Sequence, residues 1–333
     1  MKELSLLEIR QLNVTVRRGC HYVPIVKDVD LEVPERRSVG LVGESGSGKT
    51  TVLRSVLGLL PPNVHLASGT VAFEGSELTS CSERQLRQVR GARIGVVWQD
   101  ALAALDPVMR VGDQIAEVVR AHRSVDRQGA MESAKQLMRQ VDLPEVERMY
   151  NAYPHQLSGG QRQRVVIASA IAAKPRLLLA DEPTTALDVT VQDQVLALLE
   201  DLRSELGLAL LIVTHDLAIV DQSCDIVAVM YAGRIVEDGP VREVFSSPQH
   251  HYTAALLRAS PSIDRPGILP KGVPGAAASE VALRGCAFAP RCLKADAICL
   301  ETTPDLTGST SHRAACHHRI ETKEITQAQA RNE

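Results

Sequence analysis

The stretch Gly43-Glu44-Ser45-Gly46-Ser47-Gly48-Lys49-Thr50 constrains this 333-residue chain more than any other segment. Ser38–Val42 before it reads as a short buried strand, and Thr50 to Leu60 after it reads as a helix. A strand, a glycine-rich turn and a helix in that order demand an α/β architecture. The glycines let successive backbone N–H groups turn inward as an anion nest. That nest sits at the positive end of a helix, which favours phosphate. Lys49 then reaches the β- and γ-phosphates of a nucleoside triphosphate, and Thr50 offers its hydroxyl to Mg²⁺. Gly43, Ser45, Gly46, Ser47, Gly48 and Thr51 complete the expected contacts. A bare glycine turn would account for the glycines, but not for Gly48-Lys49-Thr50 at this place between strand and helix.

Other apolar runs end in polar residues. Leu177–Ala180 runs into Asp181-Glu182 and has the continuous apolar look of a strand buried on both faces. At its carboxyl end Asp181 is expected to reach Mg²⁺ through water, and Glu182 to polarise a water beside the γ-phosphate. Leu210–Val213 leads into Thr214-His215, and Ile94–Val97 into Trp98-Gln99. Ligands of open α/β sheets gather beyond the carboxyl ends of the strands. His215 is therefore expected to contact the γ-phosphate and the transition state, and Gln99 the metal or the water. Alone, either residue would be an ordinary polar strand end.

A second glycine-rich helix start follows at Leu157-Ser158-Gly159-Gly160-Gln161. Ser158 can cap a helix beginning at Gly159, which makes another anion site. Taken together, these residues resemble the ATP-binding-cassette ATPases over residues 5–258. In that likeness Gly43–Thr50 is the Walker A loop, Gln99 the Q-loop, Leu157–Gln161 the signature and Leu177–Asp181 Walker B. Glu182 is the catalytic glutamate, Ala186-Leu187-Asp188 the D-loop and His215 the H-loop. The resemblance implies a P-loop NTPase cassette, with a RecA-like core, a β-subdomain and a helical subdomain carrying the signature. It implies hydrolysis of ATP with Mg²⁺. It also implies that two cassettes sit head to tail, so that Ser158, Gly160, Gln161 and Asp188 of one close the nucleotide site of the other. The family stacks an aromatic on adenine from the segment before Walker A. Tyr22 is the candidate here, and Val16 stands where many relatives carry an aromatic.

Composition narrows the partners. A net charge of −3 gives no basic field for nucleic acid, and aromatics at 3% leave little for stacking bases. The longest apolar run, Leu206 to Val213, is too short to span a bilayer. Met1-Lys2-Glu3-Leu4 carries charge early and lacks a secretory apolar core, so a cytosolic location is expected, with membrane attachment through partners.

Along the chain, residues 5–42 read as short strands and 71–75 as one more at the edge of that lobe. Residues 82–166 read as mainly helical. Val191, Val195, Leu198, Leu199 and Leu202 share a helix face that Gly207 stops. Asp225–Tyr231 and Arg234–Glu237 read as a hairpin around Ala232-Gly233. The cassette is thus assigned to 1–259. Residues 260–280, with four prolines and three glycines, read as an extended linker, and 281–333 as a small Cys-rich extension.

Four of the seven cysteines, Cys286, Cys292, Cys299 and Cys316, fall in that extension. Cytosolic disulfides are disfavoured, and four thiolates suggest a metal that organises a tail with little core of its own. From spacing alone, zinc, an iron–sulfur centre and no metal stay open, because C-x5-C-x6-C matches neither the usual zinc ribbon nor a ferredoxin run. His312, His317 and His318 lie nearby as alternative ligands to Cys316. Cys20, Cys81 and Cys224 read as isolated small residues. Gly285–Cys292, Ala315-Cys316-His317, Tyr231–Glu237 and His251–Leu257 resemble the ATPases of dipeptide and oligopeptide importers. That resemblance implies a [4Fe–4S] cluster on the four cysteines. It also implies a second ATPase subunit, identical or different, two membrane permeases and an extracytoplasmic binding protein. A permease helix would dock near Gln99 and the helical subdomain, on the cytoplasmic face of the inner membrane. Competing readings are a soluble cassette acting on ribosomes or nucleic acid, and the cassette of a nickel- or glutathione-type importer.

Overall fold

The computed structural model describes residues 5–185, 187–259, 284–309 and 311–320. The chain opens with a long antiparallel hairpin of β1 (Ser5–Arg18) and β2 (His21–Pro34), turned at Gly19 with φ 60. Its apolar residues, such as Leu7, Ile9, Leu12 and Val29, are fully buried against the rest of the molecule. β3 (Ser38–Val42) then enters the central sheet and α1 (Lys49–Val56) leaves it. β4 (Val64–Phe73) and β5 (Ser76–Glu77) return to the hairpin, giving a sheet of order β2-β1-β4-β5.

Helical structure dominates next. α2 (Glu83–Val89) precedes β6 (Ile94–Val97), and α3 (Val111–His122), α4 (Arg127–Gln140) and α5 (Val146–Tyr150) lead to α6 (Gly159–Ile171). Helical spacing puts Ile115 and Val119 of α3 on one face, and Ala130, Ala134, Leu137 and Met138 of α4 on another. These faces share one core with Val165 and Ala168 of α6. Asp126 fixes the start of α4 by accepting from Gly129 N–H at 2.8 Å.

The remaining core alternates strand and helix: β7 (Leu177–Asp181), α7 (Val189–Leu206), β8 (Ala209–Thr214), α8 (Leu217–Ser223) and β9 (Ile226–Tyr231). β10 (Arg234–Pro240), α9 (Val241–Ser246) and α10 (His251–Ala259) follow. The extension contributes α11 (Ala297–Glu301), β11 (Thr307–Gly308) and β12 (Arg313–Ala314). The central sheet has the order β11-β12-β10-β9-β3-β8-β7-β6. β9, β3, β8, β7 and β6 run parallel, and every residue of β3, β7 and β8 is buried. Burial on both faces explains their uninterrupted apolar sequences.

Several expectations need correction. The helix after the phosphate loop ends at Val56 rather than Leu60, where Gly58 takes φ 61. The strand placed at 71–75 begins at Val64 and lies inside its sheet, with only β5 beyond it. Its first half is largely exposed and so carries no apolar alternation to read. The second hairpin strand runs on to Pro240. The linker at 260–280 lies outside the described residues. The described part of the extension joins the core: β12 pairs antiparallel with β10, with Glu237 opposite Ala314 and Asp238 opposite Arg313.

Candidate functional site: a phosphate loop at the carboxyl edge of the sheet

β3, β7, β8 and β6 point the same way, so their following residues meet at one edge. The loop Gly43–Thr50 leaves β3 there. A side chain at Gly43 would meet the Met230 carbonyl oxygen at 2.1 Å, so only glycine fits. Gly48 holds φ 105 beside the Ile25 carbonyl and turns the chain into α1. Lys49 Nζ donates to the Gly43 and Glu44 carbonyls at 2.8 and 2.9 Å. An ammonium has three protons, so one is left for a phosphate oxygen. Burial pulls the Lys49 pKa down, against the opposing charges of Glu182, Asp181 and Glu44. The Ser47 hydroxyl is buried with no hydrogen-bond partner among the described residues. Such an orphan inside a glycine cradle fits an anionic ligand. Ser45 and Gly46 are exposed on the loop, and Thr51 is half-buried in α1.

Thr50 Oγ1 donates to Asp181 Oδ1 at 3.0 Å and joins the loop to the end of β7. These two oxygens are a fitting donor set for Mg²⁺. Burial raises the Asp181 pKa, aided by the Glu182 charge and opposed by the Thr50 hydrogen bond. A cation bound beside Asp181 would reverse that penalty.

Glu182 follows in a left-handed conformation, φ 45, with its N–H held by the Val213 carbonyl at 2.8 Å. Its carboxylate is gripped on both oxygens. His215 Nδ1 lies 3.0 Å from Oε1, while Gln99 Nε2 and Thr185 Oγ1 donate to Oε2 at 3.1 and 2.8 Å. Burial pushes this carboxyl up, but the hydrogen bonds from His215 and Thr185 and the nearby charges outweigh it, so its net pKa is lowered. It stays ionised and can take a proton from water.

The other expected contacts are placed elsewhere. Ser158 caps α6: its hydroxyl accepts from Gln161 N–H at 3.3 Å, and Gln161 Oε1 accepts from Ser158 N–H at 2.9 Å. Gly160 abuts Val191, where an added Cβ would lie 2.6 Å from Cγ1. Asp188 caps α7 by accepting from Val191 N–H at 3.0 Å. Gln161 and Asp188 thus already serve helix starts. Tyr22 is exposed near the tip of the β1–β2 hairpin, edge-on to His65 with ring centroids 5.8 Å apart. Thr185 escaped the sequence reading, and nothing in its local sequence marks it; Tyr252 lies in the stretch His251–Leu257 singled out above, but no contact of its own was read there.

A second cluster forms in the extension. Cys286, Cys292, Cys299 and Cys316 line one small cavity with His250 and Phe288. All seven cysteines are free thiols. Burial raises the Cys286 and Cys299 pKa values and pushes Cys316 up to about 11, with neighbouring thiols adding to the effect. Four thiols gathered around one cavity are a fitting donor set for a cation that would share the charge of their thiolates. Asp296, Cys299 and His318 also offer ligand atoms within 4.8 Å of one another. His318 Nε2 lies 2.9 Å from Asp296, and His317 Nε2 lies 2.8 Å from the Thr302 carbonyl.

Comparison with known proteins agrees with this geometry. The pattern of the ABC transporter family matches residues 26–185, and that of the oligopeptide/dipeptide transporter C-terminal region matches residues 236–299. A peptide import ATP-binding protein of Brucella melitensis is 41% identical over 330 residues, spanning 97% of this chain and 98% of its own. A protein so named from Brucella abortus matches at 41%, with 97% and 98% covered. Among solved structures, the ATP-binding cassette MJ0796, dimeric and bound to ADP and phosphate, superposes with TM-score 0.64. It is 27% identical and spans 71% of this chain and 99% of its own. The cbiO1 protein of Clostridium perfringens, part of the transporter complex cbiONQ, gives TM-score 0.62 at 26% identity, covering 73% and 91%. With the glycine cradle, the paired Thr50 and Asp181 oxygens and the Glu182 carboxylate at one edge, and likeness along nearly the whole length, the chain belongs to the ATP-binding-cassette transporter ATPases.

Proposed function

We propose that this chain is the energy-coupling ATPase subunit of an importer for dipeptides, oligopeptides or related small solutes. The observation that carries the reading is the 41% identity, across 97% of the chain, to proteins named for peptide import. The matched C-terminal region at 236–299 supports the same solute class.

Thr50, Asp181 and Gln99 would hold the Mg²⁺ that accompanies ATP, and the ion would supply positive charge to the phosphates. Lys49 and the loop N–H groups hold the phosphates. Glu182, kept ionised, accepts a proton from the attacking water, and His215 fixes that carboxylate and faces the γ-phosphate. Tyr22 covers adenine. Ser158, Gly160, Gln161 and Asp188 act on the nucleotide of a second cassette, so two subunits clamp ATP between them and part after hydrolysis.

No helix among the described residues is long and apolar enough to cross a membrane. The subunit attaches to the inner cytoplasmic face through two permeases fed by an extracytoplasmic binding protein. Leu102 and Val108 stand exposed just after Gln99 and suit an apolar docking helix. The four cysteines of the extension, gathered around one cavity, would hold a [4Fe–4S] cluster. Its thiolate ligands would order a segment with little core of its own.

Reconstitution tests the reading. ATP turnover is expected to rise when the chain is assembled with its permeases and peptide-loaded binding protein. Turnover unchanged by the full assembly and peptide would contradict it.

A further inference from the structure

Arg291 stands one residue before Cys292, at the end of the short turn Ala289–Arg291 in the extension. Its guanidinium reaches across 247 positions to the phosphate loop. Nη1 lies 2.8 Å from Glu44 Oε2 and Nη2 3.0 Å from Glu44 Oε1. Nη1 also donates to the Tyr231 hydroxyl at 3.2 Å, and the guanidinium carbon sits 5.8 and 5.9 Å from the Tyr231 and Phe288 ring centroids. The Arg291 side chain is only 7% exposed. Glu44 is held a second time through its backbone, where its N–H donates to the Tyr252 hydroxyl at 2.9 Å. Tyr252 packs on both Tyr231 and Phe288, so the same aromatic cluster supports both contacts.

The position of Glu44 gives this contact a consequence. It is a carboxylate inside a loop shaped for a polyanion, and an uncompensated charge there opposes phosphate. A forked arginine cancels that charge and fixes its orientation in a way that lysine cannot. The Glu44 carbonyl also accepts from Lys49, so holding Glu44 steadies the phosphate-binding ammonium.

We propose that Arg291 is a positioning residue for nucleotide binding: paired with Glu44, it cancels a carboxylate in the phosphate loop and links ATP affinity to docking of the Cys-rich extension. Linkage is reciprocal, so nucleotide also favours the docked extension. The coupling goes beyond the transport reading and does not depend on which metal the thiols hold.

The test uses the full-length chain and the non-hydrolysable probe Mg–AMPPNP in calorimetric titrations. Arg291→Ala is expected to weaken binding roughly tenfold, the order of one added like charge near the phosphates in a partly screened site. Arg291→Gln, which keeps a polar tip, is expected to lose as much. Adding Glu44→Gln to either variant is expected to bring affinity back to within about threefold of wild type, because no charge remains to cancel. In steady state, KM for ATP rises while kcat is largely retained, which simple loosening of the extension would not produce. Nucleotide is expected to slow hydrogen exchange in residues 284–301 of wild type and not of Arg291→Ala. Wild-type affinity in either folded Arg291 variant would overturn the proposal, as would losses that add in the double variants.

Discussion

Glu182 Oε1 lies 3.0 Å from His215 Nδ1, at the ends of two adjacent parallel strands. The contact places an ionised base and its orienting imidazole at the edge where the phosphate loop opens. Glu182→Gln removes the proton acceptor but keeps the shape. Its kcat is expected to fall by about 10²–10⁴-fold while Mg–ATP affinity stays within about threefold. His215→Ala is expected to reduce kcat in the same direction by freeing one carboxylate oxygen. Single-turnover hydrolysis beside equilibrium binding separates the two quantities, and retained turnover in Glu182→Gln would remove that residue from the role.

Lys49→Ala and Gly43→Ala are expected to fail in the opposite way, at binding. The first deletes the cation of the loop. The second drives a methyl into the Met230 carbonyl at 2.1 Å, a backbone atom that cannot swing aside. Each should weaken nucleotide binding by about a hundredfold or more, of the order of a lost charge-assisted contact or a displaced cradle. Titration with Mg–AMPPNP reads both, and near wild-type affinity in Gly43→Ala would show that the cradle tolerates the shift.

Glu237 is one of the groups that join the extension to the core, through His312. It is fully buried and accepts from Gln249 N–H at 2.6 Å and His250 N–H at 3.0 Å, with His312 Nε2 at 2.8 Å. Glu237→Ala strands those donors and is expected to cost about 3–5 kcal/mol, the range for breaking a buried pair. Denaturant unfolding measures the loss. Hydrogen exchange across 311–320 should rise at the same time, and an unchanged rate there would mean that β12 docks without Glu237.

The thiol cluster gives a spectroscopic prediction. Cys286→Ser is expected to abolish visible iron–sulfur absorbance and bound iron, as the four thiols share one cavity, and to weaken Mg–AMPPNP binding by no more than the roughly tenfold expected of Arg291→Ala, because it loosens the segment that carries Arg291. Iron and sulfide analysis of wild type checks the assignment. One zinc per chain in place of iron would contradict it.

The nucleotide site was legible because chemistry and local structure coincide there. Strands buried on both faces are mostly apolar, so the polar residues gathered at and just beyond the carboxyl ends of β3, β7, β8 and β6 stand out in the sequence. The cap at Ser158 was readable as a helix start for the same local reason, whereas the capping role of Asp188 emerges only in the structure. What escaped depends on contacts distant in sequence. No pattern near Arg291 reveals Glu44, and nothing in Arg313-Ala314 announces pairing with β10. Exposure hid the first half of β4, because its wet residues lack the alternation that marks its neighbours.

The central claim is that two copies of this fold clamp ATP between the phosphate loop of one and the Ser158-capped helix of the other. It is tested most directly by the solution mass of Glu182→Gln with and without Mg–ATP, by light scattering on the purified chain. A monomer is expected without nucleotide and a dimer with it, and Ser158→Arg in the same background is expected to keep nucleotide binding but abolish the dimer. A nucleotide-saturated monomer in Glu182→Gln, or a dimer indifferent to Ser158→Arg, would contradict it.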